Sequence, residues 1–410
     1  MIYRGSENFV NKIPKDIDKW DNNKWTQQVI NCRPSSGGAV GVVFVWAGMA
    51  LSRQNRNEAK MAAFVIKPIQ GTAAPTKFAE HLLSRIAGAH SPNSKPIARR
   101  SPSGSGLMLT LKMFRSREAD PVTKARWNEV FMYYDRADAF LIQETQIGIK
   151  EFGDVAVEQS GLAMMLSDQQ LMINLGRMFA VDALLGNGDR VSGMNAGNII
   201  FQADGTLCSI DSTTVLTEYQ SVLNQQGMSA KQWITNGLEN GSAAVMSPGQ
   251  VRQNDINMSL DSPHDPRFKP VATAPGAGLQ MIYDVDTWWR EMFVHATSLA
   301  LVNRVDKNTN QPLPDLPIPP DTVWEQAKVW FKQGVDAGIR DIDSQLTGLN
   351  WLLVKNSYFR FTQKYGGDPN LDWTNFKLRR RYIKLRNRKY THDQALVDIK
   401  DYAARKFPGL

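Results

Sequence analysis

Near residues 145–148 the chain changes period, and no other feature of the sequence constrains its fold as strongly. Before that point, short runs rich in β-branched and aromatic residues are bounded by Gly, Pro and Ser, which is the pattern of strands. After it, apolar residues recur three and four apart, as they do on one face of a helix. At 410 residues the chain is long for a single compact core. The expected architecture is therefore α+β and two-lobed. An antiparallel β-rich lobe covers residues 1–146, and a mainly helical lobe with a helical C-terminal extension covers residues 147–410.

Residues near Ile30 to Ala47 read as two strands joined by "RPSSGGAVG", because "GVVFVWA" is β-branched and aromatic. Gly37 and Gly38 in that turn could let backbone amides approach a phosphate, or could serve the turn alone. A third strand, "MAAFVIK", ends at Lys67. The helix signature "APTKFAEHLLSRIAGA" follows, with Phe78, Leu82, Leu83 and Ile86 apolar, Pro75 in the first turn and Gly88 at the end. An ammonium at the end of an apolar strand is costly to bury alone, so Lys67 calls for a partner, and Glu80 is the candidate; a surface lysine is the plainer alternative. "GLMLTLKMF" and "AFLIQETQIG" read as two more strands, separated by the helix-compatible "DPVTKARWNEVFMYYDRAD". That makes five strands.

In the second half, "SDQQLMINLGRMFAVDALLG" reads as a helix with Ser167 as N-cap and Leu171, Leu175, Met178 and Phe179 on one face. Ile199 to Phe201 and Leu207 to Ile210 flank Ala203-Asp204-Gly205 and read as a β-hairpin. Closing it would bring Asn198 and Asp211 together, with Asp189 supplied by the loop before. Side-chain oxygens at one end suit a hard cation such as Mg²⁺, and a further carboxylate nearby can orient a hydroxyl nucleophile. For each residue alone, turn formation is the competing explanation. Residues 214–278 are rich in Gly, Ser, Asn and Pro and read as an irregular segment able to cover a site. Helices follow in "VDTWWREMFVHATSLALVNRV", "DTVWEQAKVWFKQGVDAGIRDID" and "HDQALVDIKDYAARKF".

Several functional classes are disfavoured. The opening residues lack a signal-peptide core, and no run of about 20 apolar residues is present to span a bilayer, so no transmembrane segment is expected. Cys32 and Cys208 are too few for a disulfide framework, and the five histidines lack metal-ligand spacing. No GxSxG elbow or Walker loop occurs. The formal net charge of +8 is concentrated in "KLRRRYIKLRNRK", Lys377 to Lys389. Such a strip can dock an acidic partner or, less favoured, nucleic acid. Leu378, Tyr382, Ile383 and Leu385 interrupt it at helical intervals, which equally describes a helix with one packed face.

The order of a Gly-rich turn, a strand Lys, a helix Glu and then a helical region holding Asp, Asn and Asp resembles the protein-kinase-like superfamily. "GNGDR", "NAGNIIF" and "SID" look most similar to the actin-fragmin kinase branch and, secondarily, to phosphoinositide 3/4-kinases. The resemblance spans about residues 30–215 and implies a bilobal kinase-like fold using ATP and Mg²⁺. It implies that Lys67, paired with Glu80, holds the α- and β-phosphates and that Gly37 and Gly38 cover them. Gln143, Glu144 and Thr145 would line the adenine pocket, Asp189 would orient the substrate hydroxyl, and Asn198 and Asp211 would bind Mg²⁺. Asn195 is the competing ligand; Asn198 is preferred because it directly precedes a strand, as the family's metal-binding Asn does. Ser212 stands where protein kinases usually have Phe, and neither His-Arg-Asp nor Ala-Pro-Glu is present. The implied activity is phosphate transfer to Ser or Thr of a protein. A lipid or small-molecule kinase, an AMP-transferring enzyme, and a pseudokinase binding through its basic segment are the alternatives. The implied setting is cytoplasmic, and family distribution suggests a bacterial effector delivered into a host cytoplasm.

Overall fold

A computed structural model describes residues 9–10, 13–35, 41–49, 60–69, 73–89, 91–144, 161–187, 199–201, 206–209, 212, 279–294, 311–366 and 369–406. The chain is mixed α/β and divides into two compact units. Unit 1 comprises residues 1–74, 92–149 and 361–367, and unit 2 comprises residues 75–91, 150–360 and 368–410.

Unit 1 is built on a sheet. Strands β2 (Val29–Pro34), β3 (Val43–Met49), β4 (Lys60–Ile69), β5 (Ser94–Ala98) and β6 (Ala139–Glu144) pair antiparallel in the order β2-β3-β4-β6-β5, and the short β1 (Phe9–Val10) runs parallel to the start of β4. Side chains alternate between the faces of a strand. Val43, Val45, Phe64, Ile66, Phe140 and Ile142 therefore enter one core. That core is closed by residues of α1 (Asn22–Gln28), α3 (Pro102–Arg117) and α4 (Pro121–Tyr134), among them Trp25, Leu107, Trp127 and Tyr134. The buried hydroxyl of Tyr134 donates to the carbonyl of Ile66 at 2.9 Å, and burial raises its pKa well above the usual tyrosine range. Burial likewise pushes the Cys32 thiol up.

One expectation for this unit needs correction. "GLMLTLKMF" is not a strand but part of α3. Ser101 caps the helix by accepting from the amide of Gly104 at 3.1 Å, and Pro102 occupies its first turn. Leu107, Met108 and Leu111 are buried, whereas Leu109 is 51% exposed. A strand would have sent 107, 109 and 111 to one side. The fifth antiparallel strand is instead β5, which carries Pro96. Because β5 lies at the sheet edge, the missing proline N–H is tolerated there.

Unit 2 is mainly helical. Its described helices include most of α2 (Ala73–Leu82), then α5 (Gly161–Ser167), α6 (Gln169–Leu185), α7 (Val285–Trp288), α8 (Asp321–Gln345), α9 (Gly348–Tyr365, up to Arg360), α10 (Pro369–Asn387) and α11 (His392–Lys406). Ser167 ends α5, and its hydroxyl donates to the carbonyl of Ala163; the N-cap of α6 is Asp168, which accepts from the amide of Leu171 at 2.9 Å. Both residue types cap well, and the carboxylate also faces the positive end of the helix dipole. Leu171, Leu175, Met178 and Phe179 are buried as the spacing requires.

Helices α6 and α8 meet backbone to backbone. A Cβ on Gly176 would lie 2.1 Å from the carbonyl oxygen of Phe331, and one on Gly334 would lie 2.1 Å from that of Ile173. Glycine in a helix interior costs roughly 1 kcal/mol relative to alanine, and the close approach is what it permits here. Gly334→Ala should therefore destabilise unit 2 by about 2 kcal/mol through overpacking, despite the better helix propensity. A lower thermal midpoint is expected, and an unchanged or higher one would refute the contact.

Candidate functional site

The sheet face turned away from the large core carries Lys67 and Gln143, two of the residues singled out in the sequence. Along β4, alternation sends Phe64 and Ile66 to the core and Lys67 and Ile69 to the opposite face. Along β6 it does the same with Phe140 and Ile142 against Leu141 and Gln143. Lys67 lies across from Leu141, and Gln143 across from Val65, so Lys67 and Gln143 are diagonal neighbours. Such positions are about 7–8 Å apart. Lys67 is 5% exposed and Gln143 is also buried. Ile69, Leu141 and Ala73 form a small cluster on this face, with Tyr365 packed against it. Glu144 continues β6, and its carboxylate accepts from the Asn93 amide at 2.8 Å.

Glu80 sits in α2 within unit 2 and is buried. Its carboxylate meets the Lys77 ammonium, three residues earlier, at 2.5 Å. Phe78 holds the same helix in place, stacking edge-on against Tyr358 and Phe376 with ring centroids 5.1 and 5.0 Å apart. After a π-helical turn the segment ends at Gly88, whose φ of 63° is the left-handed closure expected of a helix-ending glycine.

The hairpin exists as expected. Its strands β7 (Ile199–Phe201) and β8 (Leu207–Ser209) pair antiparallel with Ile199 opposite Ser209. Gly37, Gly38, Thr145, Asp189, Asn195, Asn198 and Asp211 lie outside the described residues. Among the described residues, no group of three or more His, Cys, Asp or Glu could hold a metal ion. Nor is any described helix long and apolar enough to cross a membrane.

The C-terminal end of α6, just before Gly188 and Asp189, contains a polar cluster that motif reading passed over. Asp182 is fully buried and accepts from the Asn187 side chain at 3.1 Å. A lone Asp within the apolar run "MFAVDALLG" is the signal that could have found it.

The basic strip runs through the second half of α10 and two residues past its end, and its packed face is real. Leu378, Tyr382, Ile383 and Leu385 are buried. Several of its cations are committed inside the unit. Arg379 is 2% exposed, Arg380 stacks 4.2 Å from the ring centre of Trp351, and Arg381 pairs with Asp398 at 2.5 Å. Arg386 lies 4.7 Å from the ring centre of Tyr283. Guanidinium stems cover apolar surface here, as the packed-face alternative requires.

Comparison with family models and with curated proteins found no match.

His81, beside Glu80, makes this region sensitive to acid. Burial first, and then the neighbouring Arg85 and Arg360, hold its pKa below the ordinary 6.5. The unfolded chain binds the proton more readily, so stability contributed above pH 6.5 is lost as the pH falls through 6.5 toward the folded value. Thermal melts from pH 7.5 to 5 should show this decline, and His81→Gln should flatten it. Equal slopes for the two proteins would refute the assignment.

Proposed function

We propose that this chain is an ATP- and Mg²⁺-dependent phosphotransferase with a bilobal protein-kinase-like fold, acting on Ser or Thr of a protein substrate in a cytoplasmic setting. The observation that carries the reading is Lys67. It is buried on the third antiparallel strand, on the sheet face away from the core and beside Gln143, and a helix bearing Glu80 follows it in the chain. A strand lysine of this kind is how protein kinases hold the ATP phosphates.

In this reading, Lys67 binds the α- and β-phosphates and fixes their direction. Gly37 and Gly38 close over them with backbone amides, and Gln143, Glu144 and Thr145 line the adenine. Asp189 orients the acceptor hydroxyl and takes its proton as oxygen bonds to the γ-phosphorus and the bond to the β-phosphate oxygen breaks, releasing ADP. Asn198 and Asp211 would hold Mg²⁺, which when bound neutralises charge on the phosphates. Positioning and electrostatic stabilisation are most of what such transfer needs. The hairpin pairing of Ile199 with Ser209 supports placing the metal ligands at the residues flanking those strands.

Lys67→Ala and Asp211→Ala should each lower ATP turnover by about 100-fold or more with little change in thermal midpoint. Normal turnover in either variant would remove that residue from the site. Mg²⁺-dependent nucleotide binding should fall further for Asn198→Ala than for Asn195→Ala, and the reverse order would reassign the ligand.

A further inference from the structure

Ahead of α8 runs "QPLPDLPIPP", residues 311–320. Apart from an isolated bridge at Pro312, the stretch carries no helix, strand or turn. Its backbone is nonetheless narrowly constrained. Proline fixes its own φ at about −65° and biases the residue before it toward extended or polyproline II geometry. With Pro312, Pro314, Pro317, Pro319 and Pro320 in place, Asp315 is the one residue of the stretch that neither is proline nor precedes one. Pro320 shows the result, since its φ of −64° and ψ of 152° are those of polyproline II. Its carbonyl accepts from the amides of Val323 at 2.9 Å and Trp324 at 3.4 Å, and Trp324 is buried, so the end of the stretch is tied into the first turn of α8.

Burial along the stretch repeats at every third residue. Leu313, Leu316 and Pro319 are half-buried, and the residues between them are exposed. A polyproline II helix has three residues per turn, so one edge lies on the protein and two face solvent. One open edge is Pro314, Pro317 and Pro320, a span of about 19 Å at about 3.1 Å per residue. The other holds Pro312, Asp315 and Ile318, the last of them 50% exposed. A segment already ordered in this form loses little conformational freedom on binding, which is why aromatic-lined grooves recognise it. Its charge has one sign, because Asp315 and Asp321 are the charged residues between Gln311 and Val323. We propose that this stretch is a docking strand for a partner domain that reads polyproline: Pro314, Pro317 and Pro320 seat in its aromatic-lined groove, and Asp315 meets a cation on the groove's rim. A basic rim complements the two carboxylates, whereas an acidic rim repels them. The docking role does not depend on the phosphotransferase reading.

The test measures binding of the full chain to two purified domains of the polyproline-reading WW class, one with a basic and one with an acidic groove rim, and uses a free polyproline peptide as competitor. The chain should bind the basic-rimmed domain, be displaced from it by the peptide, and bind the acidic-rimmed domain about tenfold more weakly or less. Joint replacement by Pro314→Ala and Pro317→Ala should weaken binding by about tenfold or more, with circular dichroism and thermal midpoint near wild type. Asp315→Lys should reverse the preference between the two rims. Failure to bind either domain would overturn the proposal, and the stretch would then be a rigid spacer into α8. So would wild-type binding in a folded protein carrying the joint replacement, or a rim preference that Asp315→Lys leaves unchanged. If the joint replacement unfolds the chain, Asp315→Lys decides alone, because it leaves every proline in place.

Discussion

The register between β4 and β6 is the constraint on which the first unit depends, because each strand places alternate side chains on opposite faces. With Ile66 opposite Ile142 and Lys67 opposite Leu141, the core receives Phe64, Ile66, Phe140 and Ile142, while the other face receives Lys67 and Gln143. A slip of one residue would drive the ammonium into an aromatic core and bring Ile66 out of it. The Tyr134 hydroxyl, bonded to the carbonyl of Ile66, ties α4 to this strand at that residue. Strand pairing, core filling and presentation of Lys67 are thus one physical event.

Different devices organise the second unit. Helices α6 and α8 approach closely because Gly176, Gly334 and Gly338 remove the side chains that would separate them. An aromatic cluster of Phe78, Trp351, Tyr358, Trp373 and Phe376 gathers α2, α9 and α10. Around it the arginines of α10 stack on rings and cap carbonyls, so a segment that looks like a charged surface in sequence is a packing element in space. Arginine suits this use because its planar, weakly hydrated guanidinium can lie on apolar surface and still donate hydrogen bonds.

Local signals were reliable where local chemistry decides the outcome. The helix opening at Ala73 and closing at Gly88, the strand ending near Lys67, the hairpin pairing Ile199 with Ser209 and the long periodic α8 were all legible, since their caps, turns and periods are written in adjacent residues. "GLMLTLKMF" was ambiguous because a short apolar run fits either period. What decided it was the Ser101-Pro102 start and the burial of Met108 in place of Leu109. β5 was invisible because an edge strand with a proline has little intrinsic strand character.

By itself, the sequence determined that Lys67 lies on a strand and Glu80 on the helix after it, and that Ile199 to Phe201 pairs with the strand beginning at Leu207. Only the tertiary structure decided which sheet face Lys67 occupies and that Arg379 is buried against the end of α6. The physical reason is range. Caps and periods act over a few residues, whereas Arg379 and Ala183 are 196 residues apart along the chain, and only folding brings that guanidinium to that carbonyl.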